Sequence, residues 1–439
     1  MAYPYSDPRE VRILSKYFGD PEARTLKGWE ARGGYRALRK ALGMSRADVV
    51  NEVKASGLRG RGGAGFPTGV KWSFMPQNSG RNHYLLCNAD ESEPGTFKDR
   101  EIIRWTPHQL IEGCLIGAYA IQAEHCYIYI RGEFFEPTQI LARAIEEAYA
   151  AGYAGEDVMG SGRTLHITLH LGAGAYICGE ETGLMNSLEG RRGEPRIKPP
   201  FPAVAGAFGK PSTINNVETL AAVPHILEHG ADWYKQWGTE KSTGTKLFCV
   251  SGHIARPGNY EMPMGFNFKE FIYDVCGGIP NDKALKAVIP GGSSVPIMAA
   301  DEIDVGMDYE SFAAAGTMLG AGSVIVMDET TDIIKSVRRM VDFYAHESCG
   351  QCTPCREGTA WAAKILRRFE SGWGAEADLD TLLDISDNMS GRTICVLSDA
   401  CAAPITSSIA KFRDDYLARI RRAEGLGPAA SPAALAAPR

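Results

Sequence analysis

Four cysteines near the C-terminus constrain this chain more than any other feature. Cys349, Cys352 and Cys355 fall in one short run, and Cys395 follows further along. Cysteines spaced by two residues direct their thiolates from one loop towards a single centre, and a fourth from a distant segment completes a cage that suits a cubane iron–sulfur cluster. The spacing therefore predicts a redox-active metal centre.

Two other uses of these cysteines stay open. Structural zinc also accepts four cysteines, but zinc sites usually combine two separated Cys-x-x-Cys knuckles rather than three cysteines in one run. A disulfide framework ranks below both, because a long chain with few other cysteines and no secretory signal is typical of a reduced compartment. We favour the cluster over zinc, and zinc over disulfides.

Length and charge exclude several classes of protein. The chain has 439 residues and a formal net charge of −6 without basic blocks, so we expect two to four domains and no nucleic-acid binding. The most apolar stretch, 110–130, is interrupted by polar residues and is too short to span a membrane. Because the N-terminus resembles no signal peptide, we expect a cytoplasmic protein that meets a membrane only through a partner.

Hydrophobic periodicity divides the chain into regions. Apolar runs at 83–87, 126–131 and 164–170 alternate with helical patterns at 45–54, 110–122, 138–151, 180–188 and 216–229. Such alternation predicts an α/β domain with a sheet between helices. Short strands and glycine turns at 245–296, with one helix at 268–275, predict a separate small module. Four helical patterns, at 332–345, 354–370, 377–388 and 399–413, predict a helical bundle that carries the cysteines.

These patterns give predicted domain boundaries. An N-terminal arm, 1–44, would pack over an α/β domain at 45–240, followed by the small module with its connection at 245–330. The helical metal domain would span 331–420, and the Ala- and Pro-rich tail, 421–439, has too little to bury and is predicted to be disordered. The Pro- and Gly-rich stretch 190–212 is predicted to be a long binding loop or a linker.

A glycine-rich run begins at Gly60. It matches G-x-G-x-x-G at Gly60, Gly62 and Gly65, but a helix precedes it, and Pro67 with Gly69 argues against a prompt helix after it, unlike a dinucleotide-binding turn. Glycines let backbone N–H groups approach a phosphate or a flat ring closely. We expect either a ligand cradle, helped by the charges of Arg61 and Lys71, or a surface loop that simply turns.

Polar loops follow two of the predicted strands. One is the acidic segment 88–95, and the other is 172–182, in which glycines and an aromatic residue precede two carboxylates. Ligands of α/β proteins bind at the carboxyl ends of strands, although carboxylates at a helix start can also merely complement the helix dipole. Together the loops predict one ligand pocket.

Six motifs in this order closely resemble the NADH-binding flavoprotein subunit of respiratory complex I. They are the glycine run, Asn-Ala-Asp-Glu-Ser-Glu-Pro-Gly from Asn88, Gly-Ala-Gly-Ala-Tyr-Ile-Cys-Gly-Glu-Glu-Thr from Gly172, Lys-Pro-Pro-Phe-Pro from Lys198, Thr-Ile-Asn-Asn-Val-Glu-Thr from Thr213, and the cysteine run from Glu347. The resemblance covers about residues 45–415. It implies a Rossmann-like flavin domain, a small β-grasp-like module and a C-terminal helical bundle with a 4Fe-4S cluster.

The resemblance also implies a role for individual residues. FMN would be held by Gly60, Arg61, Gly62, Gly63, Ala64, Gly65, Lys71, Asn88, Asp90, Tyr176, Gly179, Glu180, Asn215, Asn216 and Thr219, with Glu91 and Ser92 in the same acidic loop. NADH would be held by Phe66, Phe74, Glu93, Glu181, Lys198 and Phe201. Phenylalanines offer stacking faces, and a carboxylate such as Glu93 favours NADH over NADPH. Cys401 competes with Cys395 as the fourth cluster ligand, and the motif favours Cys395.

The implied activity is electron transfer from NADH through FMN to the cluster, with no side chain acting as a nucleophile. A flavin can accept a hydride and release electrons singly, which reconciles a two-electron donor with a one-electron cluster. The expected partners are a small 2Fe-2S subunit and a larger multi-cluster subunit, on the cytoplasmic side of the inner membrane. Two alternatives stay open: the same module in a NAD-linked hydrogenase or formate dehydrogenase, and a zinc-stabilised scaffold that binds a nucleotide without turnover.

Overall fold

The computed structural model describes residues 5–426, without the side chains of 421–426. The chain divides into two compact units, Met1–Glu329 and Thr330–Arg439. Within the described residues, none of the helices is both long and apolar enough to cross a membrane.

The first unit begins with short helices, α1 (Leu26–Ala31), α2 (Arg36–Leu42) and α3 (Arg46–Ala55). Residues 5–44 are more than a surface arm, because Trp29 and Leu38 are buried in the main hydrophobic core. Helix α3 begins as predicted, with the Ser45 hydroxyl accepting a hydrogen bond from the Asp48 N–H at 3.1 Å.

Helix α4 (Thr68–Ser73) corrects one sequence-based expectation. Pro67 and Gly69 do not prevent a helix after the glycine run, and that prediction was wrong. Pro67 stands at the N-cap with φ −61°, where its missing N–H costs no helical hydrogen bond. A side chain at Gly69 would clash with the Lys54 backbone, so this glycine permits close packing of α4 on α3.

A four-stranded parallel sheet organises the first unit. Its strands are β1 (Tyr84–Ala89), β2 (His125–Ile130), β3 (His166–Leu171) and β4 (Ser212–Asn216), in the order β3-β2-β1-β4. The helices between and after them are α5 (Asp99–Trp105), α6 (Pro107–Ala120), α7 (Phe135–Ala150), α8 (Glu181–Leu188), α9 (Pro202–Ala205), α10 (Val217–His229) and α11 (Ala231–Tyr234). The predicted α/β alternation is confirmed, while β4 was missing from the prediction.

Helix α6 is buried along its whole length, and its sequence is apolar apart from His108, Gln109 and Glu112. A side chain at Gly113 would collide with the Leu220 carbonyl of α10, so this glycine lets the two helices approach closely. This contact ties α10, which follows β4, to the helix that follows β1.

A second, mixed sheet forms the small module. Its strands are β5 (Thr245–Gly252), β6 (Gly258–Pro263), β7 (Leu285–Ile289), β8 (Met298–Ala299) and β9 (Ser323–Asp328), in the order β6-β5-β9-β7-β8. The module also contains α12 (Phe268–Glu270), which continues as a π-helical turn, Phe271–Val275, and α13 (Tyr309–Ala314). The predicted helix at 268–275 is thus present. Phe268 and Phe312 pack edge-to-face in the module's core, with ring centroids 5.2 Å apart.

The second unit is the predicted helical bundle. It consists of α14 (Ile333–Glu347), α15 (Thr353–Glu370), α16 (Ala377–Met389) and α17 (Leu397–Leu426). Asp332 caps α14 by accepting a hydrogen bond from the Lys335 N–H at 3.1 Å. Helix α17 extends beyond residue 421, where the tail was predicted to begin, and residues 427–439 of that predicted tail lie outside the described residues.

Candidate functional site

The first candidate site lies at the carboxyl end of the parallel sheet, between β1 and β4. Strands β2 and β3 lie on one side of β1 and β4 lies on the other. The strand order therefore reverses between β1 and β4, and ligands of doubly wound folds bind in the crevice at such a point. The segments 88–93 and 215–219, both predicted to bind a cofactor, begin at this crevice.

The glycine loop (residues 60–65) is closed by its own backbone and open on one side. The Gly60 N–H donates to the Phe66 carbonyl at 2.8 Å. Gly65 has a φ of +65°, and a side chain there would clash with the Tyr309 ring. At Gly63, with φ +136°, an added Cβ would meet no atom within 4 Å among the described residues. The loop therefore presents bare backbone to open space at its centre.

Arg61 contributes to this loop in a way that the sequence did not reveal. Its backbone N–H donates to the Thr219 hydroxyl at 2.8 Å. Its guanidinium is buried and donates inward, to the Tyr234 hydroxyl at 3.2 Å and the Thr243 carbonyl at 2.8 Å. The side chain thus braces the loop instead of extending into solvent.

The two asparagines at the end of β4 are held by neighbouring helices. The Asn215 amide oxygen accepts from the Trp72 indole N–H at 2.8 Å, and the Asn216 amide donates to Asp99 at 2.7 Å. An added Cβ at Gly62 would lie 3.1 Å from the Asn216 Cβ, so the glycine loop rests directly on this asparagine.

The end of β1 meets the segment that follows β3. The Asn88 amide donates to the Gly179 carbonyl at 2.8 Å, and an added Cβ at Gly179 would lie 3.7 Å from Asp90 Oδ2. The Ser92 hydroxyl is buried and has no hydrogen-bond partner among the described residues. A buried, unpaired hydroxyl costs free energy unless a ligand or water satisfies it.

Glu93 joins the domain of the parallel sheet to the small module. Its carboxylate accepts from the Tyr176 hydroxyl at 2.7 Å, the Ser294 N–H at 2.9 Å and the Ser293 hydroxyl at 3.2 Å. Burial raises the pKa of this carboxyl, although the three donors oppose the shift. Glu93 is therefore fixed in orientation before any ligand arrives.

Glu91 has a structural task in this arrangement. Its carboxylate accepts from the Asp99 N–H at 2.8 Å, the Arg100 N–H at 3.2 Å and the Arg100 Nε at 2.9 Å. Burial, followed by the charge of Asp99, raises its pKa. These contacts occupy both oxygens at the start of α5.

Two lysines and two glutamates form a charged group at the start of α8. Lys198 Nζ lies 2.6 Å from Glu181 and 3.2 Å from Glu180, and Lys71 Nζ lies 3.2 Å from Glu181. Burial alone would raise the pKa of Glu181, but the charges of Lys71 and Lys198 outweigh it and lower the pKa. Lysines from two distant segments of the sequence thus meet at the start of α8.

Three phenylalanines leave an unusual amount of aromatic surface exposed near these charges. Phe66, Phe74 and Phe201 expose 46%, 59% and 60% of their surface. The rings of Phe66 and Phe74 lie 6.1 Å apart, tilted at 50°, and Ala64 beside them is also exposed. Exposed, adjacent rings provide a stacking surface for a planar ligand.

The second candidate site lies in the loops of the helical unit. Cys352 is the N-cap of α15 and Cys355 lies in its first turn, where the Ser348 hydroxyl is 3.3 Å from the Cys355 sulfur. The Ile394 N–H donates to the Cys352 sulfur at 3.4 Å, which brings the segment of Cys395 to the cysteine run. The two separate segments that carry the predicted ligands therefore meet.

The cysteines of this unit differ in accessibility. Cys349 lies in the loop before α15, whose Gly350 has φ +81° and accepts a hydrogen bond from Arg356 at 2.8 Å. Cys349, Cys352 and Cys395 are half-buried, whereas Cys401 is fully buried within α17. Among residues 5–426, no three His, Cys, Asp or Glu side chains form a group that could hold one metal ion.

Family models match three parts of the chain. Residues 53–225 match the Nuo51 FMN-binding domain, residues 246–326 match the SLBB domain, and residues 335–419 match the NADH-ubiquinone oxidoreductase-F iron-sulfur binding region. The two candidate sites fall in the first and third of these matches.

Curated relatives extend the similarity to nearly the whole chain. The F subunit of NADH-quinone oxidoreductase in Mycobacterium tuberculosis (strain H37Rv) is 52% identical and covers 93% of this chain and 93% of its own length. That of Streptomyces coelicolor is 52% identical, with coverages of 92% and 90%. This chain belongs to the family of NADH-quinone oxidoreductase F subunits. The resemblance stated from the motifs is thereby confirmed.

Solved structures of another enzyme share the fold of this family. A NAD⁺-reducing NiFe-hydrogenase in the air-oxidized state has a chain 34% identical to this one, with a TM-score of 0.81 over 94% of this chain and 67% of that chain. The H2-reduced state gives 32% identity and a TM-score of 0.82, with coverages of 97% and 72%. These matches confirm the predicted fold class.

Membership of this family makes the chain an oxidoreductase subunit with FMN and a 4Fe-4S cluster as cofactors, NADH as substrate and other subunits as partners. The structure fits both groups. The open backbone at Gly63, the unpaired Ser92 hydroxyl and the exposed phenylalanines suit a flavin and a nucleotide. Convergent thiol segments suit an iron–sulfur cluster.

Sequence reasoning missed a buried charge cluster behind the glycine loop. Lys98 Nζ lies 2.8 Å from both Asp99 and Glu218, and Lys246 Nζ lies 3.2 Å from Glu218. All four side chains are buried. The available signal was a glutamate just before the apolar run 220–224 of α10 and a lysine just before the apolar run 247–250 of β5, since a charged side chain buried beside such runs needs a partner.

Proposed function

We propose that this chain holds FMN at the carboxyl end of its parallel sheet and binds NADH on the adjoining aromatic surface. The observation that carries the proposal is the meeting of the glycine loop, the end of β1 and the end of β4 at the point where strand order reverses. When bound, FMN supplies the conversion of a two-electron donation into single-electron transfers. The glycine loop, Asn88, Asn215, Asn216 and Thr219 would hold it.

The side chains around the pocket have separate tasks in binding NADH. Phe66, Phe74 and Phe201 supply stacking surfaces. Lys198, fixed by Glu181, offers N–H donors to the anionic pyrophosphate, while Lys71, also paired with Glu181, would serve FMN. Glu93, fixed by Tyr176, would accept hydrogen bonds from ribose hydroxyls and repel a 2′-phosphate, which selects NADH over NADPH.

Electrons would leave through the helical unit. We assign Cys349, Cys352, Cys355 and Cys395 as the cluster ligands, because the segment of Cys395 contacts Cys352. The electrons would pass to a small 2Fe-2S subunit and a larger multi-cluster subunit, and from there towards quinone. The assembly would lie on the cytoplasmic side of the inner membrane, with this chain attached through its partners.

Anaerobic titration of the purified full chain with NADH tests the proposal. We expect NADH to bleach the flavin absorbance and then to produce the EPR signal of a reduced 4Fe-4S cluster, while equal NADPH produces little of either. Metal analysis should find iron and labile sulfide. Stoichiometric zinc, or a flavin that NADH leaves oxidised, would contradict the proposal.

A second assembly stays a candidate because the solved structural neighbours belong to a NAD⁺-reducing hydrogenase. In that case, or in a formate dehydrogenase, the same pocket would exchange electrons with a different catalytic subunit. Isolation of the chain with its native partners decides between them, since quinone-reducing activity of the complex supports the first assembly and hydrogen- or formate-linked NAD reduction supports the second.

A further inference from the structure

The small module (residues 246–326) contacts the glycine loop from the side opposite to its open backbone. The Tyr309 hydroxyl donates to the Gly60 carbonyl at 2.7 Å. The Tyr309 ring fills the space that a side chain at Gly65 would need, and the Arg59 guanidinium lies 3.9 Å from the centre of that ring. One tyrosine of the module therefore fixes both ends of the loop.

A buried lysine of the module makes the second contact. Lys246 Nζ lies 3.4 Å from the Arg61 carbonyl and 3.2 Å from Glu218. Glu218 also accepts a hydrogen bond from the Leu247 N–H at 2.9 Å and pairs with Lys98 at 2.8 Å. Because Glu218 lies in the first turn of α10, these contacts connect the module to the helix that follows β4.

Glu93 makes the third contact. Its carboxylate accepts hydrogen bonds from Ser293 and Ser294 of the module. A Cβ at Gly292 would lie only 2.7 Å from Glu93, so the module's turn lies tightly against this side chain. The glycine loop, the start of α10 and the segment of Glu93 thus all contact the small module.

The contacts of Tyr309 and Lys246 act on backbone carbonyl oxygens, which the proposed ligand site does not use. The carbonyl oxygens of Gly60 and Arg61 accept hydrogen bonds from Tyr309 and Lys246, and the open face at Gly63 stays available to a ligand. A glycine-rich loop is flexible by itself and loses much conformational entropy when a ligand orders it. Ordering it in advance raises ligand affinity.

We propose that the small module is part of the flavin site, and that Tyr309 and Lys246 are positioning residues that preorganise the glycine loop for FMN. The inference rests on the flavin binding proposed above. It assigns a role in cofactor binding to a module that lies outside the FMN-binding match, which ends at residue 225.

Fluorescence titration of the FMN-depleted full chain with FMN provides the first test. Tyr309→Phe removes one hydrogen bond to a backbone carbonyl and should raise the dissociation constant for FMN about two- to tenfold. Tyr260→Phe is the matched control, because the Tyr260 hydroxyl also donates to a carbonyl at 2.7 Å, that of Arg256 within the module. The control should bind FMN like the unchanged chain.

Lys246→Met provides the second test and should weaken FMN binding about tenfold or more, since it removes a charged donor from the loop. Lys246→Arg, which retains the charge, should recover a large part of the affinity. Thermal unfolding and the EPR signal of the cluster report whether each variant is folded. If Lys246→Met fails to fold, the Tyr309→Phe and Tyr260→Phe pair decides alone.

The outcomes separate this inference from the proposed function. Failure of the unchanged chain to bind FMN would overturn the proposed function. Normal FMN binding by the unchanged chain together with equally tight binding by folded Tyr309→Phe would overturn the role of the module. Equal losses in Tyr309→Phe and Tyr260→Phe would also overturn it, because the effect would then be general to the module.

Discussion

The flavin pocket and the cysteine loops are built in opposite ways. Around the pocket, Glu93, Glu181 and Asn216 are already held by neighbouring protein groups. In the cysteine loops, Cys352 accepts a long hydrogen bond from the Ile394 N–H at 3.4 Å, and the Ser348 hydroxyl lies 3.3 Å from the Cys355 sulfur. Ion pairs and short hydrogen bonds thus fix the side chains of the pocket, whereas the sulfurs of Cys352 and Cys355 make longer contacts.

The pocket and the cysteine loops also differ in how the protein affects the charge of their ionisable groups. Lysines of the protein lower the pKa of Glu181 and keep it ionised. Burial, followed by weaker effects of Cys349 and Cys352, raises the pKa of Cys355 despite the opposing Ser348 hydrogen bond. A thiolate there depends on a positive charge brought by the metal. The protein supplies the compensating charge at Glu181, and the proposed cluster would supply it at Cys355.

The largest expected effect breaks the cysteine site and leaves the pocket intact. Cys395→Ala should abolish the EPR signal of the cluster, since a cubane loses its fourth ligand. FMN content should stay unchanged. Cys401→Ala is the matched control and should keep the cluster, because the segment of Cys395 is the one that contacts Cys352. If Cys401→Ala loses the EPR signal and Cys395→Ala keeps it, Cys401 is the ligand. Loss of FMN in Cys395→Ala would contradict the independence of the two sites.

The next largest effect is expected from a substitution in the buried charge cluster beside the glycine loop. Glu218→Ala removes the carboxylate shared by Lys98 and Lys246 and should destabilise the first unit by about 3–5 kcal/mol, because it leaves buried charge uncompensated. Thermal unfolding followed by release of FMN fluorescence measures it. Exposed Glu240 offers the control, and Glu240→Ala should change little. A similar loss in both variants would remove any special role from the buried cluster.

The buried charge cluster should also make the stability of the first unit depend on pH. Burial lowers the pKa of Lys246 to about 8, while Glu218 opposes the shift and Lys98 and Arg61 add to it. From about pH 8 upward the folded chain loses this proton before the unfolded chain does, so folding stability rises with pH until the ordinary lysine pKa is passed. The free energy of unfolding of the unchanged chain, minus that of Lys246→Met at the same pH, should therefore increase by about 3 kcal/mol between about pH 7 and 10.5. A difference that does not change with pH would show that Lys246 titrates normally.

The smallest effect concerns the exposed aromatic surface. Phe74→Ala should leave stability within about 0.5 kcal/mol of the unchanged chain, because the ring is 59% exposed. The KM for NADH should rise several-fold, since stacking contributes about 0.5–1.5 kcal/mol. Phe135, which is 74% exposed on α7, provides the matched control. Steady-state kinetics with both variants measure the effect, and an unchanged KM for Phe74→Ala would remove this ring from the NADH site.

Local pattern predicted the elements with strong periodicity. Strands near β1, β2 and β3, the helices of the cysteine unit and the capping role of Ser45 were all anticipated from the sequence. Strand β4 was not, because Ser-Thr-Ile-Asn-Asn has little apolar content and reads as a loop. Its place beside β1 depends on tertiary pairing, which periodicity cannot show.

The site was predictable as a set of motifs but not as a set of contacts. The motifs named the pocket residues, whereas the inward direction of Arg61 and the capping role of Glu91 appear only in three dimensions. The pairing of Lys98 with Glu218, and of Glu218 with Lys246, joins segments far apart in sequence. Single charged residues give no sign of their partners until the chain is folded.

The hydroxyl that secures the Gly60 carbonyl comes from a residue 249 positions later. A ribosome must therefore synthesise most of the first unit before the loop near its beginning can be completed. Cofactor loading in a living cell is on this account a late event, and nascent chains that end before α13 should retain FMN poorly.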